Sequence, residues 1–233
     1  MSRRMSMSKI TELSGSLDKI ARFLAYHTPR PFRDFILPSY PYAINPAMLS
    51  FLTQAIDKNR GKGGAVCEIG VGWGHTSVFL LEHMRSAGYN DRVVFVDTFR
   101  GFTSESMDHE VAYRGKLKRE IDRFGYASPK VYEKNLRKQG YDYFEVIPGD
   151  CEEVDWARIG TLAVVLLDVD LYLPTIRTLE AIYPLLVPGG VILIDDCQPD
   201  QTFDGALQAY SEFTKARNLP FEIVGGKAGL ITG

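Results

Sequence analysis

Five short apolar runs, separated by longer amphipathic segments, leave few folds open to this chain. The runs are Ala65–Ile69, Val93–Asp97, Tyr143–Ile147, Leu162–Asp168 and Val191–Asp195. Most of them are continuously apolar, which is typical of parallel strands that are covered by helices on both faces. The segments between the runs are long enough to hold crossover helices. The alternation therefore predicts an α/β fold with an open, wound parallel sheet.

Helix and hairpin signals fill the remainder of this pattern. Pro174–Leu186 places five apolar residues on one face, begins with proline and is followed by Pro-Gly-Gly, so we expect a helix there. A further helix is predicted over Gly205–Arg217, and short strands over Phe221–Val224 and Gly229–Thr232. The pair Gly225-Gly226 suits a tight turn between these strands. We therefore predict seven strands, mostly parallel with the last antiparallel, and helices on both faces.

The first part of the chain differs from the rest. The chain has 233 residues, which fits one domain with a modest appendage. We interpret residues 1–60, which include a predicted helix over Pro46–Lys58, as an N-terminal helical cap, and residues 61–233 as the domain that holds the sheet. Residues 29–45 and 103–138 lie outside the strand–helix pattern, and we expect them to fold over the binding crevice as a mobile lid.

Charge and cysteine content narrow the class of partner. With 27 basic and 29 acidic residues, the chain has no overall field that favours nucleic acid or an anionic membrane. The longest strictly apolar run has six residues, and about 20 are needed to span a bilayer. Cys67, Cys151 and Cys197 are too few and too far apart for a disulfide framework. We expect a cytoplasmic protein with a small-molecule partner, and a homodimer is left open.

The strongest local motif follows the first run. Residues 68–74 read Glu-Ile-Gly-Val-Gly-Trp-Gly, and His75 stands where a dinucleotide fingerprint needs its third glycine. An acidic side chain here would repel a pyrophosphate and attract an ammonium or sulfonium group, and the glycines allow close approach of a ligand. A nicotinamide-dependent oxidoreductase is therefore a less favoured alternative. The candidate binding residues in this motif are Glu68, Gly70, Gly72, Trp73 and Gly74.

Acidic residues end the other runs as well. Asp97, followed by Thr98, can accept both hydroxyls of a ribose at the end of the second run. Asp150, followed by Cys151, can accept an exocyclic amine after the third. Each aspartate taken alone is equally well explained as a helix cap or a turn residue.

The fourth and fifth runs end in a denser set of carboxylates, at Asp168, Asp170, Asp195 and Asp196. Because neighbouring parallel strands end side by side, we expect these groups to converge beside the glycine motif. Crowded carboxylates repel one another unless a cation or a proton intervenes. The set therefore predicts a metal site or an acid–base site.

Several of these motifs resemble a known family. Residues 68–74 resemble motif I of the class I S-adenosylmethionine-dependent methyltransferases. Residues over roughly 64–215 are similar to the macrocin O-methyltransferase family, which methylates sugar hydroxyls in antibiotic biosynthesis. The stretches that carry this similarity are Val96–Phe102, Asp168–Thr175, Tyr183–Gly190 and Ile194–Asp196. The resemblance implies a Rossmann-like class I methyltransferase fold and makes residues 61–233 the domain that binds S-adenosylmethionine.

The resemblance also implies roles for the candidate residues. S-adenosylmethionine would be bound by Glu68, Gly70, Gly72, Trp73, Gly74, Asp97, Thr98, Asp150, Cys151 and Asp168. Mg²⁺ would be held by Asp168, Asp195 and Asp196, whose oxygen ligands suit a hard cation. Asp168 would also be the general base.

The activity implied is that of a Mg²⁺-assisted O-methyltransferase. It would act on a hydroxyl of a small molecule, either a sugar or a glycosylated natural product. A metal-dependent O-methyltransferase of a catechol or another small phenol is the main alternative. A non-catalytic Rossmann-like binding module is a third, although such a module has no need of the aspartate set.

Overall fold

A computed structural model describes residues 40–122, 124–199 and 201–233, together with Ile20. The described residues form a seven-stranded sheet in the order β3-β2-β1-β4-β5-β7-β6. The strands are β1 Ala65–Ile69, β2 Val93–Asp97, β3 Glu145–Pro148, β4 Leu162–Leu167, β5 Leu186–Ile194, β6 Ile223–Val224 and β7 Ala228–Thr232. Strands β1 to β5 pair in parallel, and β7 is antiparallel to both β5 and β6. The predicted mostly parallel, seven-stranded sheet is confirmed.

Helices connect and cover these strands. They are α1 Pro46–Asn59, α2 His75–Ser86, α3 Ser104–Arg114, α4 Lys118–Ile121, α5 Pro129–Lys138, α6 Trp156–Ile159, α7 Tyr172–Ile182 and α8 Gly205–Arg217. The first of them shows how the sequence starts a helix: Asn45 caps α1 by accepting the Met48 amide at 3.0 Å, and Pro46 occupies the first helical position. None of the described helices has the length and apolar character needed to cross a membrane.

The helix predicted over Pro174–Leu186 is wrong at both ends. It begins two residues earlier, at Tyr172, and ends at Ile182, where a 3₁₀ turn over Tyr183–Leu185 has Pro184 in its first turn. The chain then enters β5 directly, so the Pro-Gly-Gly that was expected to follow the end of the helix lies within the strand. A Cβ on Gly190 would lie only 2.9 Å from the Val187 carbonyl oxygen, so a glycine is required in this crowded bend.

Alternate residues of the strands face two separate apolar layers. One layer contains α1, α2 and α5, which pack against strand residues such as Phe95 and Leu166. The other contains α7 and α8, which pack against strand residues such as Val165 and Ile192. Helices therefore cover both faces of the sheet, as the continuously apolar runs predict.

Tyr42–Gly233 form one compact unit. Met48, Leu52 and Ile56 of α1 are buried in the sheet's covering layer, so the helix predicted as part of the cap belongs to the main unit. The domain boundary at residue 60 stays a prediction, and residues 29–39 of the predicted lid lie outside the described residues.

The predicted lid over 103–138 is wrong for its last helix. Tyr132 and Leu136 of α5 are buried in the same layer as α1 and α2, so α5 is a crossover helix between β2 and β3. Mobility of the segment before α5 stays a prediction.

The strand register brings the candidate residues to one edge. Ile69 pairs with Leu167, and Leu167 pairs with Ile194, so β1, β4 and β5 end at the same level. The next residues are Gly70, Asp168 and Asp195. The carboxyl edge of the sheet therefore places the glycine motif beside the aspartates.

Candidate active site

The three glycines of the loop after β1 differ in what a side chain at each position would contact. All three have positive φ, at 85°, 50° and 80° for Gly70, Gly72 and Gly74. A Cβ on Gly70 would lie 1.8 Å from the Asp168 carbonyl oxygen, and one on Gly74 would lie 2.8 Å from Cε2 of Tyr132. A Cβ on Gly72 would meet nothing within 4 Å. The chain's own packing therefore requires Gly70 and Gly74, whereas Gly72 faces open space that a ligand can enter.

Glu68 points into the protein. Its side chain is 2% exposed, and Ser77 Oγ at the start of α2 donates to its Oε2 at 2.5 Å. The Tyr132 hydroxyl donates to the same Ser77 oxygen at 2.7 Å. Burial raises the pKa of Glu68 to about 8, opposed by the Ser77 hydrogen bond and reinforced by the charge of Asp97. This chain of side chains ties β1, α2 and α5 together, and contact between Glu68 and the methyl donor stays a prediction.

Asp97 holds the glycine loop against the end of β2. The Val71 amide donates to its Oδ2 at 2.8 Å, and the Phe99 amide donates to its Oδ1 at 2.6 Å. Thr98 is engaged in its own turn, since its hydroxyl donates to the Gly101 carbonyl at 2.7 Å. Each carboxylate oxygen of Asp97 can accept a second hydrogen bond, so its predicted role toward ribose hydroxyls stays a prediction.

Asp150 and Cys151 lie at the same edge, after β3. Asp150 Oδ1 accepts the Glu152 amide at 3.0 Å, which is the turn contact that the sequence left open as an explanation. The Cys151 carbonyl accepts the Trp156 indole N–H at 2.9 Å, and burial raises the pKa of the Cys151 thiol to about 12. The thiol is therefore neutral and unreactive, and contact of the pair with adenine stays a prediction.

An exposed aromatic pair stands over the glycine loop. Trp73 is 77% exposed, and its ring stacks on that of Tyr126 with centroids 4.7 Å apart and planes 28° from parallel. Burial raises the pKa of the Tyr126 hydroxyl, and the charges of Asp97 and Asp170 raise it further. Tyr126 therefore lies within electrostatic reach of both ends of the site. Trp73 belongs to the predicted site, and Tyr126 was not predicted.

Further aromatic rings continue from Tyr126. Phe124 lies 6.5 Å from Tyr126, 5.2 Å from Phe102 and 6.1 Å from Phe203, all measured between ring centroids. We call Phe102, Phe124, Tyr126 and Phe203 the aromatic wall. Its members come from three segments far apart in sequence, and for that reason no local motif predicted it.

Asp168, Asp195 and Asp196 converge as the strand ends predict. One carboxylate oxygen of each lies within 4.8 Å of those of the other two. Asp195 and Asp196 are buried, and Asp168 is half-buried. Asp196 has a φ of +56°, an unusual conformation for a residue other than glycine, which turns the chain sharply at the end of β5.

This aspartate cluster is electrostatically crowded. Burial raises the pKa of Asp168 well above its usual value, and the charges of Asp195 and Asp196 add to that rise. The pKa of neighbouring Asp170 is raised in the same way, first by burial and then by Asp168. Groups in this state favour a bound cation or retained protons.

Lys227 contacts the cluster and was not among the predicted site residues. Its Nζ lies 2.8 Å from Asp195 Oδ2 and 3.1 Å from Asp196 Oδ1. Burial alone would lower the pKa of Lys227, but the two carboxylates raise it above its usual value. Its position follows from the antiparallel pairing of Ile194 with Gly229, which brings the residue before β7 beside the residues that follow β5.

The cluster fits a hard divalent cation. Its donors are all carboxylate oxygens, which Mg²⁺ prefers. Oδ1 of Asp195 is buried and has no hydrogen-bond partner within the described part of the chain. Leaving such an atom unpaired costs about 1–3 kcal/mol, and a cation would satisfy it. Burial raises the pKa of the adjacent Cys197 thiol to about 12, so this thiol does not turn the cluster into a soft site.

A family model now gives this arrangement a context. The model described as Macrocin-O-methyltransferase (TylF) matches residues 43–225, which is most of the chain. The chain belongs to this family. The match contains both the glycine loop and the aspartate cluster, and it ends two residues before Lys227.

Two relatives of this chain are named as methyltransferases of natural products. A tetracenomycin-C 4′-O-methyltransferase from Streptomyces olivaceus, whose name includes a dimethoxy-rhamnosyl group, is 32% identical over 62% of this chain and 57% of its own. Demethyldecarbamoylnovobiocin O-methyltransferase from Streptomyces niveus is 31% identical over 58% of this chain and 55% of its own. The alignments thus span little more than half of each relative.

A solved structure supports the fold of this family member. The O-methyltransferase NovP has a TM-score of 0.69 at 22% identity, with 83% of this chain and 82% of that chain covered. At this identity the likeness shows the fold alone, and the fold agrees with the predicted Rossmann-like methyltransferase architecture.

Proposed function

We propose that this chain transfers a methyl group from S-adenosylmethionine to a hydroxyl of a sugar on a glycosylated natural product, with Mg²⁺ at the aspartate cluster. The observation that carries this proposal is the contact between the glycine loop and Asp168. Gly70 approaches the Asp168 backbone so closely that no side chain fits between them. A donor bound over the loop would then hold its methyl beside the carboxylates, where an acceptor hydroxyl can meet it.

The loop side of the crevice suits the donor. Gly72 leaves open space, and the N-terminus of α2, where backbone N–H groups favour an anion, can meet the donor's carboxylate. We assign the ribose to Asp97, whose oxygens keep capacity for further hydrogen bonds, with Thr98 beside it. The adenine is assigned to the neighbourhood of Asp150 and Cys151. Glu68 acts from behind the loop by fixing α2.

The cluster side suits the acceptor. Asp168 is the half-buried member of the cluster and its backbone contacts Gly70 of the glycine loop, and we assign it the role of general base. The acceptor oxygen forms its new bond to the methyl carbon while the bond from that carbon to sulfur breaks. Asp168 takes the hydroxyl proton. When bound, Mg²⁺ supplies positive charge that lowers the pKa of an acceptor hydroxyl.

A sugar acceptor is supported by the relatives and by the aromatic residues. The two curated relatives named above carry natural-product names, and one of them names a rhamnosyl substrate. The aromatic wall and Trp73 offer flat apolar surface that suits the C–H faces of a sugar and an apolar aglycone, so we reassign Trp73 from the donor to the acceptor.

The same stacked pair favours one other candidate. A catechol ring can lie against Trp73 or Tyr126 and present two adjacent hydroxyls to the cluster. A metal-dependent O-methyltransferase of a catechol or other small phenol is therefore the second candidate. It differs from the first in acceptor chemistry only.

The test is methyl transfer from isotope-labelled S-adenosylmethionine to a panel of acceptors. The panel contains rhamnosylated aromatic glycosides, nucleoside diphosphate sugars and catechols, each assayed with Mg²⁺, with EDTA, and with Mg²⁺ restored after EDTA. We expect labelled product from a glycoside, its loss in EDTA and its recovery with Mg²⁺. Transfer to catechols alone would overturn the sugar assignment, and full activity in EDTA would overturn the metal assignment. Failure to bind S-adenosylhomocysteine in calorimetry would overturn the proposal as a whole.

A further inference from the structure

The ammonium group of Lys227 contacts two carboxylates of the candidate metal site. Its ammonium spans Asp195 Oδ2 and Asp196 Oδ1, at 2.8 and 3.1 Å. These two residues are also two of the three whose oxygens converge within 4.8 Å. Within the described ranges Lys227 is the one basic side chain paired with the cluster.

The backbone of Lys227 is fixed by hydrogen bonds, whereas its side chain keeps partial exposure to solvent. The Cys197 amide donates to the Lys227 carbonyl at 2.7 Å, and the Lys227 amide donates to the Val224 carbonyl at 3.2 Å. The side chain remains 20% exposed. The ammonium can therefore leave the carboxylates for solvent by rotating its four-carbon stem, without any change in the hairpin between β6 and β7.

One ammonium does not satisfy the cluster. Lys227 reaches one oxygen of Asp195 and leaves the other, Oδ1, buried without a partner in the described structure. Three carboxylates face a single positive charge at this point. The unmatched charge and the unpaired oxygen still favour a divalent cation, but such a cation would stand beside an ammonium that repels it.

From this geometry we propose that Lys227 is a tethered cation that competes with the divalent metal for Asp195 and Asp196. This inference rests on the metal assignment of the proposed function. With no metal bound, the ammonium keeps the two carboxylates together. When the metal binds, it displaces the ammonium toward solvent. Lys227 is thus a positioning residue that weakens metal binding and makes occupancy of the site respond to the free metal concentration.

The experiment measures metal binding directly. Chelator-treated full-length protein is titrated with Mg²⁺, and separately with Mn²⁺, by calorimetry without donor or acceptor. We expect Lys227→Met to bind either ion about tenfold more tightly than the wild-type chain, because one repelling charge is gone. Lys227→Arg keeps the charge and should bind close to wild type. Lys62→Met is the matched control, since Lys62 Nζ donates to Asn59 Oδ1 and to the Pro188 carbonyl at the opposite edge of the sheet.

A second readout keeps the inference falsifiable. Without metal, Lys227→Met should melt at a lower temperature than wild type, and Mg²⁺ should raise its melting temperature by more than it raises that of wild type. If Lys227→Met does not fold, Lys227→Gln replaces it, because its amide can still donate a hydrogen bond to one carboxylate.

Equal or weaker metal binding by the neutral variants would overturn the competition, as would the absence of binding to every variant. The chelation assay separates these results from failure of the proposed function. Activity that needs Mg²⁺, combined with unchanged affinity in Lys227→Met, would reject the role of Lys227 alone.

Discussion

The carboxyl edge of the sheet has two halves that treat their carboxylates in opposite ways. On the half formed by β1 and β2, the chain itself satisfies the acidic groups. Ser77 donates to Glu68, and two backbone amides donate to Asp97. On the half formed by β4 and β5, carboxylates crowd together, one buried oxygen lacks a partner, and a lysine supplies part of the missing charge.

This difference indicates that the first half fixes the conformation of the site, whereas the second half is suited to hold a cation or a proton. Carboxylates that accept protein hydrogen bonds fix the loop conformation, so the surface that a ligand binds there is already formed. Carboxylates that repel one another store unfavourable energy, which a cation or proton removes on arrival. We therefore expect substitutions on the first half to change donor affinity and stability, and substitutions on the second half to change turnover.

The largest expected effect is on the second half. Asp168→Asn should reduce turnover by about 10³-fold, because it removes the proposed base and one metal ligand charge. Affinity for S-adenosylhomocysteine should fall far less than turnover, because Asp97 and the glycine loop still hold the donor. Initial rates and calorimetry measure the two quantities. Asp142→Asn is the control, since Asp142 is 73% exposed and precedes β3, at the opposite edge of the sheet. A near-normal rate in Asp168→Asn would remove the chemical role from this half.

The next effect tests the first half. Asp97→Asn should weaken S-adenosylhomocysteine binding by about 1.5–3 kcal/mol, since the ribose hydroxyls lose a charged acceptor. One of the two backbone amides also loses its acceptor, so the melting temperature should fall. Asp91→Asn is the matched control, because Asp91 likewise accepts one backbone amide, that of Gly61, but precedes β2 at the opposite edge. Unchanged affinity would show that Asp97 serves the loop only.

Much of this contrast was predictable from the sequence, for a physical reason. Continuous apolar runs predict buried parallel strands, and parallel strands must end at one edge, so the convergence of Asp168, Asp195 and Asp196 follows from topology. The first two runs match β1 and β2 residue for residue. A hydrophobic pattern carries this information because it reports burial.

Contacts that depend on distant residues were not predictable. The direction of the Glu68 side chain depends on Ser77 and on Tyr132, which is 55 residues further along the chain. The place of Lys227 depends on how β7 pairs with β5. The end of α7 was also not predictable, because Pro184 is compatible with a helix that continues to Leu186 and with the 3₁₀ turn that forms.

The third prediction uses pH to sharpen the description of Glu68. Its pKa is raised from 4.5 to about 8 by burial, so the folded chain keeps a proton that the unfolded chain loses between these values. The contribution of Glu68 to stability is thus fully present below about pH 4.5 and is lost as the pH rises through about 8.

Glu68→Gln should lack this loss, so its stability relative to wild type should rise by about 1.4 kcal/mol per pH unit between pH 5 and pH 8. Urea unfolding at several pH values measures the difference. Asp168, Asp170 and Asp195 remain in both proteins, so their own titrations cancel in the comparison. A stability difference that does not vary with pH would mean that Glu68 is ionised in the folded chain.

The smallest expected effect concerns the surface that joins the two halves. Trp73 is 77% exposed, so Trp73→Ala removes little buried area and should leave the melting temperature nearly unchanged. Its ring stacks on Tyr126, and Tyr126 feels the charges of Asp97 on one half and Asp170 on the other. If the acceptor lies against this pair, the KM for the acceptor should rise severalfold, equivalent to about 1 kcal/mol, with kcat and donor affinity preserved. Tyr143→Ala is the control, because Tyr143 is 82% exposed and precedes β3 at the opposite edge. A change in donor affinity without a change in acceptor KM would instead assign Trp73 to the donor, because the ring would then contribute to donor binding and not to acceptor binding.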